Sequence, residues 1–548
     1  MLPIPTTNAI AAFWGACAAA LCGILFGSVP AVLLGSTVLL GLCVALALTL
    51  PIGARLRRDR LELAWWHTHG DAAITRGSVV AGARFEVRAS LRHDGAKPLV
   101  LSDLVPAHGS ALRCVRGAHG AIVLPGESRS EFELAFVAAA PGRLVLHGLS
   151  VMVHGPLHLF RAPLYFPIPL VIRALPRAAA QTALPARPSA SVAAERAGQA
   201  LRRRPGGGTD LREIRELLPG DAFKTIAWKA SAKAGRWMVR EVESEVQETL
   251  YVVLDISGTM RGGALGERKL DHAIEVAARL LREALERGDR AGLISVDGRV
   301  VAHAPAREGL AHMAAIHEAL LGATEIVDAD LTEPDDDELS ALVARYVRHQ
   351  DGVDFRAGTG VDIDGLVRHV SLALAHEHEP RGIMLSAAMH DRADAPRTDP
   401  RTQVLRRYCR ARGIALNYRP ETRGFLKGQG LAQALRTAAG GSRVPRSIVT
   451  ITDFDGVLQL ESLTNTLRML CSRRHALSFV FPDAASFLAP PTSRLTSDLQ
   501  LVYGLAEVRR ASDVRQLLYK LGIPLFVSGK RKTARASLVS SAPKQDAV

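Results

Sequence analysis

The sequence predicts a doubly wound α/β domain, preceded by a transmembrane helical hairpin and an all-β region. Three observations carry this. "YVVLDISGTM" (Tyr251–Met260) is an apolar, β-branched run that ends on Asp255 and turns toward a helix. "SIVTITDFDG" (Ser447–Gly456) is a second strand of the same kind, ending on Asp453. From Ala9 to about Gly27, and again from Ala31 to about Gly53, the chain is apolar and uncharged, each time for roughly the length that crosses a bilayer core as a helix.

The hairpin comes first, over residues 1–60. Its first charged side chain is Arg55, followed by Arg57, Arg58, Asp59 and Arg60. A cleaved signal peptide would carry a basic segment ahead of one short apolar core, which this chain lacks. The turn at Gly27–Pro30 is too short to hold a domain. Arginines beyond the second helix stay inside by the positive-inside rule. The expected placement is therefore the inner (cytoplasmic) membrane, with lipid contacted through residues 9–53 and the soluble domains in the cytoplasm.

Residues 61–176 change to period-two alternation. "ARFEVRASLRHD", "SEFELAFVA" and "GRLVLHGLSVMV" read as strands separated by Gly/Pro turns, which predicts an immunoglobulin-like sandwich. Residues 177–207 are rich in Ala, Pro and Arg and read as a linker. The tail, 531–548, is polar and basic and reads as disordered.

At 548 residues the chain is long enough for several domains of about 100–200 residues. The net charge of +14 could suit nucleic acid or an anionic membrane. Many arginines lie near the membrane end and in the linker with few aromatics beside them, so no nucleic-acid partner is expected. The six cysteines show neither a disulfide framework nor metal-ligand spacing, consistent with a reducing compartment.

Asp255 is followed by Ser257 and Thr259. A carboxylate and two hydroxyls on a turn suit a hard divalent cation with oxygen ligands, Mg²⁺ or Mn²⁺. "FRAGTGVDIDGLVRHV" (Phe355–Val370) places Thr359 on a Gly-flanked loop before an amphipathic helix. Strand ends of a parallel sheet converge on one edge, so Asp255, Ser257, Thr259, Thr359 and Asp453 are the expected metal ligands. Two alternatives stand beside this: an Asp/Ser turn that only caps a helix, and Asp453 as a turn residue in "DFDG". The acidic run "DADLTEPDDDELS" (328–340) lacks the spacing of an EF-hand and is expected to cap a helix.

The segment resembles the von Willebrand factor A domain, whose Asp-x-Ser-x-Ser motif, loop Thr and later Asp hold Mg²⁺ and leave a position for a partner's carboxylate. Thr259 stands where that family usually has Ser. Upstream, residues 208–249 resemble the signature of the domain-of-unknown-function 58 family. Leu211, Arg212, Glu213, Gly220, Asp221, Ile226, Trp228, Ala232, Arg240 and Glu241 match it. Ile214, Lys224, Ala227 and Lys233 depart from it. Without the resemblance, the Trp228 segment reads either as a clasp packed on the sheet or as an exposed docking patch.

The resemblance implies a von Willebrand factor A-like domain over 250–530, in which 379–446 reads as an insertion. It also implies a protein partner, a MoxR-type AAA+ ATPase, and a role in assembling or maturing protein complexes. No nucleophile-plus-base pair, P-loop or zinc-protease motif appears in the sequence. The expected function is thus a metal-dependent, membrane-anchored binding module. The alternative is a phosphatase-like hydrolase that uses the metal to activate water.

Overall fold

The computed structural model describes residues 3–529. It leaves out 52–60, 70–71, 75–76, 118–121, 178–204, 207–209, 219–222, 224–225, 244–247, 359, 376–383, 386–398, 420–423, 441–443, 456–459, 484–485 and 488–490. The arginine cluster at 55–60, nearly all of the expected linker and the expected disordered tail lie outside the described residues. The fold is mixed α/β with two apolar N-terminal helices and several sheets. The chain divides into two compact units. One comprises Met1–Leu175, Glu325–His378 and Pro396–Tyr418; the other comprises Pro176–Thr324, Glu379–Ala395 and Arg419–Val548.

In the first unit, helices Thr7–Leu25 and Val29–Thr49 form an antiparallel hairpin. Both are long and apolar enough to cross a membrane. Buried positions spaced seven apart face each other, Ala9, Ala16 and Gly23 on one and Gly35, Leu42 and Thr49 on the other, where Ala45 is buried as well. A Cβ on Gly35 would stand 2.6 Å from the Ala16 carbonyl, so glycine sets the close approach. Such small-residue packing is how helices associate where lipid replaces water. The hairpin is tied to the β region below it. Ile4–Pro5 pairs antiparallel with Phe160–Phe166, and Thr6 Oγ1 donates to the His158 and Leu159 carbonyls at 3.0 Å.

That β region is two sheets sharing one core. Strands 62–69, 72–74, 84–93, 112–116 and 128–138 make one; strands 4–5, 78–80, 99–108, 122–124, 142–154, 160–166 and 170–175 make the other. Alternation puts Val87, Ala89, Leu91, Leu134 and Phe136 opposite Leu144, Leu146, Leu149, Val151 and Ile172 in the shared cluster. The Trp65 indole N–H donates to the Ile168 carbonyl at 2.9 Å.

Three helices from much later in the chain, Asp336–Asp351, Ile363–Ala375 and Pro400–Arg412, belong to this same unit. Asp335 caps the first by accepting from Glu338 N–H at 2.8 Å, so the acidic run does the capping expected of it. Their apolar stripes meet in a core of Leu339, Val343, Val347, Leu366, Val370, Leu405 and Tyr408. They also join the sandwich. Tyr346 Oη lies 3.0 Å from His147 Nδ1, Gln350 donates to Tyr165 Oη at 2.9 Å, and the Glu325 carboxylate accepts the Arg143 backbone N–H. Of the segment 379–446, residues 396–418 group with this unit and the rest with the other. A helical stripe in the sequence does not say which sheet will cover it.

The second unit is built on a seven-stranded sheet. We number its strands β1 (Thr249–Asp255), β2 (Arg290–Val296), β3 (Val300–Arg307), β4 (Met384–Leu385), β5 (Ser447–Ile451), β6 (Ala476–Pro482) and β7 (Leu525–Ser528). Their order is β4-β3-β2-β1-β5-β6-β7. Pairing is parallel from β2 through β7, and β3 is antiparallel to β2 across the Asp297–Gly298 turn. The described helices include α1 (Lys269–Glu286), α2 (Met313–Thr324), α3 (Gly424–Ala439), α4 (Leu460–Ser472) and α5 (Arg494–Lys520). The order reverses between β1 and β5, and that is where an open α/β sheet leaves a crevice beyond its strands' carboxyl ends.

Candidate functional site: a buried ion cluster between β1 and β5

β1 is mostly apolar and ends on Asp255, whose carboxylate stands at the carboxyl end of the strand. The chain then turns: Ser257 N–H donates back to Asp255 Oδ1 at 3.0 Å, and a short 3₁₀ turn, Gly258–Met260, follows. Arg261 fastens this turn by donating to the carbonyls of Ile256 (2.9 Å) and Ala323 (2.6 Å). β5 ends in the same way. Thr452 Oγ1 donates to Asp255 Oδ2 at 2.7 Å, which links the two strand ends directly. Asp453 follows, and then Phe454 at φ 55°, a left-handed backbone that a bulky residue adopts only when its surroundings impose it. Phe454 is buried against Phe479 and Phe481, and that packing fixes the turn presenting Asp453.

The structure thus brings Asp255, Ser257, Thr259 and Asp453 together. Thr259 Oγ1 donates to Asp453 Oδ1 at 3.1 Å and lies 3.1 Å from Ser257 Oγ. Thr359 lies outside the described residues, and its neighbours Gly358 and Gly360 belong to the first unit.

The sequence reading missed the cations. Lys427, from α3, is fully buried and places its ammonium 2.8 Å from Asp255 Oδ2, 2.6 Å from Asp453 Oδ1 and 2.9 Å from Thr259 Oγ1. Lys269, at the start of α1, takes the other Asp453 oxygen at 3.0 Å. Two carboxylates thus face two ammoniums. A signal for Lys427 was present. It stands four residues before Leu431 on the stripe Leu431, Ala434, Leu435, Ala438 that α3 buries, and a lysine on an apolar stripe asks for a buried partner.

Burial alone would lower the Lys427 pKa, but Asp255 and Asp453 more than reverse this and hold it above the ordinary lysine value. Burial would likewise raise Asp453, and Lys427 with Lys269 pull it below the ordinary carboxylate range. Asp297, at the β2–β3 turn, is pushed up to about 6 by burial and by the Asp255 charge.

The expected Mg²⁺ can be tested against this geometry. It needs oxygen ligands at about 2.0–2.1 Å in an octahedron. An ion drawing on Asp255, Thr259 and Asp453 would fall where the Lys427 ammonium sits. The ion and the ammonium do not fit together, and no grouping of three His, Cys, Asp or Glu side chains that could hold a metal occurs among the described residues.

Residues 213–347 match a family model described as "Protein of unknown function DUF58". That span holds Asp255, Ser257 and Thr259 and ends before Lys427 and Asp453. "Uncharacterized protein Rv1480" of Mycobacterium tuberculosis (strain ATCC 25618 / H37Rv) is 28% identical over 108 residues, 20% of this chain and 34% of that protein. "Uncharacterized protein YeaD" of Bacillus subtilis (strain 168) is 26% identical over 139 residues, 25% of this chain and 30% of that protein. The chain spans about a third of the length of the curated relatives it matches. Among solved structures, the PapD-like domain 7 of human CEP192 aligns over 22% of this chain and 87% of that chain, at 12% identity and a TM-score of 0.16. Alpha-2-macroglobulin from Escherichia coli, from domain MG7 to the C-terminus, aligns over 76% and 60%, at 10% identity and the same TM-score of 0.16. Neither likeness bears on the fold at that score.

Proposed function

We propose that this chain is a membrane-anchored protein-binding module. In this reading a two-helix anchor in the inner membrane carries an immunoglobulin-like sandwich and a von Willebrand factor A-like domain on the cytoplasmic side. The module acts with a MoxR-type AAA+ ATPase in assembling or maturing protein complexes. The observation that carries the binding role is an exposed aromatic cluster in the signature segment. Helix Trp228–Ala234 and strand Met238–Glu243 hold Trp228 and Trp237 at a ring separation of 5.6 Å, and Phe223 stands 5.5 Å from Trp228. Each of the three rings is more than half exposed, whereas Ile226, Ala227 and Val239 beneath them are buried. The segment therefore buries its inner side and presents an apolar surface on its outer side. Rigid aromatic clusters of this kind are what protein interfaces anchor on.

The expected Mg²⁺ bridge to a partner is not part of this reading, because Lys427 stands in its place. The hydrolase alternative needs a metal-activated water and meets the same obstacle. The test is copurification of the detergent-solubilised full chain with its candidate MoxR-type ATPase. The double variant Trp228→Ala/Trp237→Ala should lose at least tenfold in affinity with an unchanged melting temperature. A complex indifferent to both substitutions would overturn the docking role.

A further inference from the structure

We propose that Lys427 is the resident cation of the β1–β5 crevice: its ammonium takes the position that a divalent ion would otherwise hold between Asp255, Thr259 and Asp453, and it closes that position to metals and to a partner's carboxylate alike. A lysine ammonium has three N–H donors and no more. Here three oxygens lie within 2.9 Å of Nζ: Asp255 Oδ2, Asp453 Oδ1 and Thr259 Oγ1. All three donors are spent inside the crevice. An octahedral ion on the same side chains would keep open positions for a ligand from outside; the ammonium keeps none.

Charge points the same way. Asp255 and Asp453 already face Lys427 and Lys269, so a divalent ion entering beside them would leave an excess of buried positive charge. The remaining carboxylate oxygens are committed. Asp255 Oδ1 accepts Ser257 N–H, and Asp453 Oδ2 accepts Lys269.

The ammonium is also held from behind. α3 runs so close to the β2–β3 turn that a Cβ on Gly430 would collide with the Asp297 carbonyl and the Gly298 backbone. A Cβ on Gly298 would in turn stand 3.0 Å from Leu426. Leu431, Ala434, Leu435 and Ala438 continue the contact into the core. α3 is therefore held against the sheet, and with it the backbone from which Lys427 reaches into the crevice.

The experiment is Mn²⁺ binding to the full chain in detergent, counted by electron paramagnetic resonance of the free ion. The wild type should bind no Mn²⁺ in the crevice up to about millimolar metal, many times a working site's Kd. Any equivalents it does bind should be unchanged by Asp255→Asn or, if that chain does not fold, by Thr259→Val. One equivalent of Mn²⁺ on the wild type that either substitution removes would overturn the proposal. Lys427→Ser vacates the position while keeping an oxygen, and should gain one Mn²⁺ site together with a metal-dependent rise in melting temperature. A folded Lys427→Ser chain that binds no more Mn²⁺ than the wild type would equally overturn it.

Discussion

In the sandwich, Val87, Leu91, Leu134 and Phe136 meet Leu146, Leu149 and Ile172, and the space between the sheets is filled with apolar side chains. At the ends of β1 and β5, Asp255, Asp453, Lys427 and Lys269 are buried almost as deeply, and each is held by opposite charge. The two regions fail differently. An apolar core loses area and gains a cavity when one side chain is trimmed. An ionic crevice is left with an uncompensated charge. Removing one partner of a buried pair costs more than the pair contributes, whereas removing both can cost little.

Lys427→Met should destabilise the second unit by about 3–5 kcal/mol, since Asp255 loses the ammonium paired with it at 2.8 Å. Adding Asp255→Asn should return more than half of that loss. In the sandwich, Leu146→Ala should cost about 2–5 kcal/mol, and trimming its neighbour Leu170→Ala as well should only add to it. Denaturant melts of the four chains in detergent check both arms. If Lys427→Met/Asp255→Asn were less stable than Lys427→Met alone, the crevice would not be held by paired charge.

A smaller effect sharpens the picture through pH. The Asp297 carboxyl titrates at about 6 in the fold, above its unfolded value of 3.8. A raised carboxyl stabilises the fold fully below the unfolded value, and that contribution is lost as pH rises through the folded one. Asp297→Asn escapes the loss, and its side-chain oxygen can still accept Gly298 N–H, which the Asp takes at 2.7 Å. The variant should therefore match the wild type near pH 4 and exceed it at pH 8 by at most about 3 kcal/mol. A gain that did not grow between pH 4 and pH 8 would mean that burial does not set the titration of Asp297.

What was legible in the sequence divides along the same line. β1, β2, β5 and β6, the helix Pro400–Arg412 and the alternating strands of the sandwich follow from the period of apolar residues, which states directly what each element buries. The β1 half of the site was legible too, because Asp255, Ser257 and Thr259 sit within one turn. Lys427 was not. It lies 172 positions from Asp255, and a lysine on an apolar stripe names a need for a counter-charge without naming which one. The companions of the three late helices were hidden for a similar reason: Tyr346 and Gln350 find His147 and Tyr165 only once the sandwich is folded.

In this account an amino-acid side chain, and not a metal, is the cation in the crevice. The most direct measurement is anomalous diffraction at the manganese edge from crystals of the full chain soaked in Mn²⁺. The expected result is no anomalous peak between Asp255 and Asp453, with continuous density carrying the Lys427 side chain to within hydrogen-bond distance of both. A manganese peak bridging the two carboxylates, with Lys427 displaced from the crevice, would contradict it.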